Sequence, residues 1–231
     1  MARHFNGTSD RIDYPNVYNP SVAGGTPFTF AAWIYPDNVS LASDIFDIEN
    51  VGGVGRIIIS MRGDIVSGSI RTIIRTTIDR RQNLAFPIST WSHLIVTYSG
   101  VFVSTNIHMY KDGVESGGSS LSDTGTQNTD EDGKWILGGR SVDTTRQWPG
   151  SMAEVGWWDR VITAGERDEL AAGFAPILFL NGLRWYVPLL GQTNEPDQIA
   201  GVNGTFIGAG VTQIDGPAIR YAGTAGGVAG G

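Results

Sequence analysis

The sequence predicts an all-β fold, a two-sheet antiparallel jelly-roll sandwich with one short helix near residues 164–174. Three observations predict it. The 231 residues carry 32 glycines and 10 prolines spread along the chain, as tight turns between many short strands require. Runs of about five to eight residues rich in β-branched and aromatic side chains alternate with Gly, Asn, Asp and Ser clusters. One stretch alone, TAGERDEL, carries the signals of a helix start.

The strands follow in order. From TPFTFAAWIYPDN onward the clearest are RIIISMRG, GSIRTIIRTTID, SHLIVTYSG, NIHMYKDGV and GKWILGGR. In HLIVTY, Leu94, Val96 and Tyr98 share one face and His93, Ile95 and Thr97 the other, the two-residue period of a sheet. Both faces carry apolar members, which predicts a central strand. Asp112-Gly113 supplies the positive-φ pair of a two-residue hairpin turn. The polar run SSLSDTGTQNTDEDG after it reads as a long surface loop. In GSMAEVGWWDR the alternation sends one of Trp157 and Trp158 inward and the other outward.

The helix is explained locally. Thr163 and Glu166 form a capping box, and Glu166, Asp168 and Glu169 put negative charge in the first turn, where the helix dipole favours it. Leu170 and Phe174, four apart, face the core, and Gly173 and Pro176 mark the end. These acids therefore have a structural reason to exist without catalysis. Residues 176–219 return to strands that close a single domain spanning 1–219. The remaining arm, 220–231, is too poor in large apolar groups to build a core.

Composition removes several chemistries. The net charge of −7 argues against nucleic acid, and the densest basic positions, Arg71, Arg75, Arg80 and Arg81, sit among β-branched residues as the polar side of strands. With no cysteine there is no disulfide, thiol catalysis or thiolate metal site. No window approaches the roughly 18 apolar residues of a membrane span, and the opening MARHFNGTSDRIDY lacks the apolar core of a secretion signal. His4, His93 and His108 lie in strand-like segments without metal-ligand spacing.

Four motifs in order carry a family resemblance. ARHFNGTSDRIDYP, with Phe5, Gly7 and Asp10, FTFAAWIYPDN with Trp33, WSHLIVTYSG with IHMYKDGV, and ILGGR with WPGSMAEVGWWDRVITAGERDEL resemble the laminin G-like branch of the concanavalin A-like lectin/glucanase superfamily. The likeness spans roughly residues 2 to 175. It implies the two-sheet jelly roll and makes the helix a plug following the last family strand. The segment Asp197 to Gly204 is similar to tails that accompany such domains. Fold does not fix function, since lectins, adhesion modules, hydrolases and structural parts share it.

Hydrolysis by such a fold needs two carboxylates across a sugar-binding cleft. The glucanase pattern Glu-x-Asp-x-Glu finds its nearest text in SDIFDIEN, where Asp47 and Glu49 keep the alternate spacing but Ile45 replaces the first acid and Asp44 falls out of step. The expectation is a non-enzyme. No cofactor is expected. Calcium is the alternative, with Asp10, Asp123, Asp130, Asp132 and Asp143 as candidate oxygen ligands, although the closing strand has Ala153-Glu154-Val155 where the family has Asp-Glu-Val.

An indole face matches the C–H face of a pyranose, so seven tryptophans invite a sugar-stacking reading. Trp33, Trp91, Trp135 and Trp185 sit in strand patterns and read as core. Trp148, in the polar stretch DTTRQWPG beside Asp143 and Arg146, is the candidate ligand platform. The functional expectation is a non-catalytic lectin-like module of a larger assembly. Made without an export signal yet shaped for targets outside cells, it reads as a bacteriophage virion surface protein, a capsid decoration or cement protein. Its partners are other subunits, docked through arm 220–231 or a sheet edge, and cell-surface glycans, not nucleic acid or membrane. A free-standing, cytoplasmic lectin is the alternative, and a glycoside hydrolase a third.

Overall fold

The computed structural model describes residues 1–15, 17–18, 20, 25–49, 56–74, 78–123, 133–141, 144–208 and 211–221. Their strands are β1 (Ala2–Asn6), β2 (Arg11–Tyr14), β3 (Phe28–Pro36), β4 (Ala42–Glu49), β5 (Arg56–Arg62), β6 (Ser69–Ile74), β7 (Ile78–Asn83), β8 (Ser92–Tyr98), β9 (Ile107–Lys111), β10 (Val114–Glu115), β11 (Gly118–Asp123), β12 (Trp135–Leu137), β13 (Pro149–Trp158), β14 (Leu183–Val187), β15 (Thr205–Ile207) and β16 (Thr212–Ile214), with the helix α1 (Ala164–Ala171). They form two antiparallel sheets, ordered β10-β9-β8-β3-β13-β1-β16, with β14 also on β13, and β11-β7-β6-β5-β4-β12-β2-β15. The predicted sandwich is the observed one.

The inner faces meet in one core. Leu94, Val96 and Tyr98 of the first sheet share it with Ile57, Ile59 and Met61 of the second, as alternation requires. Its centre is aromatic: the rings of Phe46, Trp135, Trp157 and Trp185 pack with centroids 5.1 to 5.8 Å apart. Asp112 and Gly113 adopt φ of 51° and 79° and join β9 to β10, the positive-φ pair that a tight hairpin demands.

A second apolar cluster answers the question of the helix. Ala31, Ile95, Trp158 and Tyr186 on the outer face of the first sheet are covered by Ile162 and Leu170. Both tryptophans of the pair are therefore buried, Trp157 in the sandwich and Trp158 beneath α1, where its Nε1 donates to Phe179 O at 2.8 Å. The capping box is present, with the Glu166 amide donating to Thr163 Oγ1 at 3.2 Å and the Thr163 amide to Glu166 Oε2 at 2.8 Å. Of the two predicted core-facing residues, Leu170 is buried but Phe174 is only half-buried, because the helix ends at Ala171. Phe174 instead makes a parallel bridge to Arg220, whose guanidinium carbon lies over its ring, 5.3 Å from the centroid.

The chain's far end is tied to its start and middle. Arg3 Nε donates to Glu195 Oε1 at 2.5 Å, and the Tyr14 hydroxyl to Glu195 O at 2.8 Å. Asp197 accepts from the amides of Tyr186, Ile199 and Ala200. Among the described residues no helix is long and apolar enough to cross a membrane.

Candidate functional site

Where each indole sits decides which can meet a ligand. Trp135, Trp148, Trp157, Trp158 and Trp185 are all fully buried. This corrects the expectation for Trp148. Residues 144 and 145 are exposed, but Gln147 and Trp148 already turn inward to enter β13, and the Trp148 amide donates to Gly138 O at 2.9 Å. Its indole belongs to the sandwich core and offers no face to a sugar. Arg146 is partly exposed, and Asp143 lies outside the described residues. The structure therefore does not bring the three together as a platform.

Trp33 and Trp91, expected in the core, are instead partly exposed. Alternation in β3 puts Ile34 in the sandwich and Trp33 and Tyr35 on the outer face of the first sheet. Tyr35 and Trp91 pack with ring centroids 5.4 Å apart, and Trp33 lies 5.1 Å from the His93 ring on the paired position of β8. Helix α1 covers the Ala31 and Ile95 part of this face and leaves Trp33, Tyr35 and Trp91 beyond it. Polar groups border them. His4 stands on the same row as Ser151 and Tyr35, and its Nε2 lies 2.8 Å from the exposed Asp37 carboxylate. His93, beneath Trp33, is buried, and burial pushes its imidazole down to about 3, so it is neutral at physiological pH. His108 pairs with Glu115 at 2.7 Å. The sequence signal for the platform was present as WIYP and TWSH; alternation alone did not say which face is covered.

The second sheet carries the acids. A register shift between Asp44 and Phe46 is a bulge at Ile45, which sets Asp44 opposite Ser60 while Asp47 stays opposite Ile58. Since Ile57, Ile59 and Met61 face the core, Asp44 and Asp47 both lie on the outer face, a juxtaposition that spacing did not reveal. Both are nevertheless fully buried, and Asp44 Oδ2 lies 3.4 Å from Arg140 Nε. Neither offers a carboxylate to a substrate in this conformation. The Glu49 side chain lies outside the described residues. Further along this face a cleft of about 370 Å³ is lined by Asp13, Tyr14, Pro15, Lys134, Asn203, Thr205 and Ile207. Its carboxylate is already engaged, by Arg11 at 2.7 Å and Lys134 at 3.3 Å.

Among the described residues no group of three His, Asp or Glu converges as a metal site. Asp10 accepts from the Asn6 amide at 3.2 Å and Asp123 from the Ser104 amide at 2.5 Å, both turn-holding roles. Asp130, Asp132 and Asp143 lie outside the described residues. Glu154 lies in a bulge of β13 against β3, at φ 54°, and accepts from the hydroxyls of Tyr186 and Tyr221, each at 2.6 Å. Burial holds its carboxyl above the usual range, against the pull of the two phenols.

The outer-face plug and the paired eight-stranded sheets match the family that the motifs suggested. A laminin G family model described as the concanavalin A-like lectin/glucanases superfamily matches residues 6–166. The chain belongs to that superfamily. No curated protein matches the sequence. Among solved structures, a putative carbohydrate binding protein from Bacteroides ovatus is 20% identical over 95% of this chain, with a TM-score of 0.63. This chain spans 61% of that protein's length. A heptameric SAP-like pentraxin from Limulus polyphemus matches 74% of this chain and 81% of its own at 13% identity and a TM-score of 0.54. Domain 4 of AbnA, an extracellular arabinanase of Geobacillus stearothermophilus solved in complex with arabinotriose, matches 74% of this chain and 76% of its own at 18% identity and a TM-score of 0.54. At these identities the likeness is one of fold.

Proposed function

We propose that this concanavalin A-like domain is a non-catalytic carbohydrate-binding module that stacks sugar rings on Trp33, Tyr35 and Trp91. One observation carries the reading: of seven tryptophans, the five in the interior are fully buried and the remaining two lie side by side with a tyrosine on one sheet face. Flat aromatic faces beside hydrogen-bonding His4 and Asp37 give both halves of sugar recognition, apolar contact and polar orientation. The Bacteroides ovatus and arabinotriose-bound relatives support the same class of ligand. A non-enzyme is the consistent reading, since Asp44 and Asp47 are buried.

Display on a bacteriophage-like virion is the finer reading, with arm 220–231 or a sheet edge docking on neighbours. Of that arm, Arg220 and Tyr221 bond to their own domain through Ala175, Gly173 and Glu154. Residues 222–231 lie outside the described ones. The test is calorimetry or a glycan array with arabino- and gluco-oligosaccharides. Trp91→Ala is expected to weaken binding by about tenfold or more with the fold intact. Undiminished binding by Trp91→Ala and Tyr35→Ala would move the site elsewhere, and release of reducing sugar would make the protein a hydrolase.

A further inference from the structure

We propose that segment 215–221 is a proton-controlled strap: the buried Glu154 carboxyl clasps its last residue, Tyr221, and release uncovers Glu154 and Tyr186 as an extension of the aromatic sugar platform. The extension rests on the carbohydrate-binding reading above; the clasp does not.

Geometry makes one carboxyl the fastening. Glu154 is 1% exposed, and its two oxygens take the hydroxyls of Tyr186 from β14 and Tyr221 from the strap. No residue of 215–221 is buried, so little apolar burial holds the segment down. Its backbone is fixed at Arg220, whose amide donates to Gly173 O at 2.8 Å and whose carbonyl accepts from the Ala175 amide at 3.0 Å. A segment held by exposed bonds opens locally while the rest of the fold stays closed. Glu154 also sits where the platform would continue. It follows Ala153, which pairs with Trp33 of β3, and Tyr186 pairs with Gly156 two positions further along β13. A carboxylate and a phenol beside indole faces supply partners for sugar hydroxyls.

The groups facing Glu154 set the sign of the pH dependence. They are the two phenols and the terminal amine of Met1; β3 offers Ala31, Ala32 and Trp33 here, and the chain after β14 offers the Pro188 carbonyl. Arg220, the neighbouring charge on the strap, turns to the Phe174 ring. Burial holds the Glu154 carboxyl above its ordinary range, against the pull of the phenols and the amine. Burial and the adjoining Glu154 hold both phenols above the usual tyrosine range, so they remain protonated donors at neutral pH. With the strap down, the carboxyl keeps its proton to a higher pH than it does once water reaches it. The strap is therefore firmest in and below the ordinary carboxylate range, loosens by at most about tenfold per pH unit from there to the folded value, and changes no further beyond it.

The experiment follows hydrogen exchange of the Arg220 amide in the full chain by NMR, from roughly pH 4 to 8, against the rate of an unstructured peptide and against the Val96 amide of central strand β8. Protection at Arg220 is expected to lie about tenfold or more below that of Val96, the mark of local opening, and to fall by about tenfold or more from the acid to the neutral end. Glu154→Gln should make it independent of pH. Tyr221→Phe, at an exposed position, should lower it by about threefold or more throughout. Protection that is flat in the wild type, equal to that of Val96, or sloped as before in Glu154→Gln would overturn the clasp. Calorimetry with cellobiose, cellohexaose, arabinobiose and arabinohexaose reads the extension. The hexasaccharide that binds should gain about threefold or more over its disaccharide between the same two ends, and Tyr221→Phe should confer that gain already in acid, because a closed strap lowers apparent affinity by the fraction closed. A hexasaccharide advantage indifferent to both pH and Tyr221→Phe would remove the extension alone. Absence of all glycan binding would remove it together with the carbohydrate reading and leave the clasp to stand or fall by exchange.

Discussion

Trp148 and Trp91 show how little a residue's immediate neighbours say about its exposure. Trp148 sits between Gln147 and Pro149 in a polar stretch and is fully buried; Trp91 sits between Thr90 and Ser92 in an equally polar stretch and is partly exposed. Trp148→Ala is expected to cost about 3–5 kcal/mol of stability, the range for emptying an aromatic site in a packed core, whereas Trp91→Ala should cost much less. Denaturant titration of the two variants checks this. Strand periodicity does divide side chains between two faces, which is why Leu94, Val96 and Tyr98 could be assigned together. It is silent on what covers each face. The face of β3 carrying Ala31, Trp33 and Tyr35 is buried at one end and open at the other only because a helix more than a hundred residues away lies across part of it.

Elements differ in how far their cause lies from their own sequence. Helix α1 was legible because Thr163, Glu166 and the glycine that follows act within a few residues. Thr163→Ala is expected to lower stability by about 1 kcal/mol at neutral pH, as measured by thermal or denaturant unfolding. The Arg160 guanidinium, followed by the bonds from Thr163, holds the Glu166 carboxyl down at about 2. Because its folded value is depressed, this contribution is present above the ordinary carboxylate range and fades as pH falls toward 2, so the Thr163→Ala deficit should shrink in acid. The bulges at Ile45 and Glu154 were not legible. Each depends on the register of a partner strand, β5 for one and β3 for the other. The first of these turns Asp44 outward, to within 3.4 Å of Arg140 Nε. Arg140 was not singled out from the sequence, because strand pairing and not spacing brings it to Asp44.

At the scale of the whole molecule, the two sheets differ in what they do with their outer faces. One is partly plugged by α1 and shows aromatic rings; the other buries its acids and matches them with arginine. Glu154 joins the middle of the chain to its end through Tyr186 and Tyr221. A carboxyl whose folded value is raised contributes most at low pH and loses that contribution as pH rises through the folded value. Glu154→Gln should therefore flatten the stability profile above the ordinary carboxylate range, from roughly pH 5 to 8, and a steeper decline in the variant than in the parent would refute the assignment. Unfolding midpoints taken at several pH values decide it.

The first strand also has a consequence for biosynthesis. β1 pairs with β13 and β16, and Arg3 bonds to Glu195, so its neighbours emerge from the ribosome only after most of the domain has been translated. Until then Ala2 and Phe5, both without exposure in the finished protein, wait in the nascent chain beside unpaired backbone. Long-range closure of this kind slows folding and leaves an adhesive edge in the interim. Translation speed and chaperone supply should accordingly govern the yield of this protein more than the strength of its completed interior.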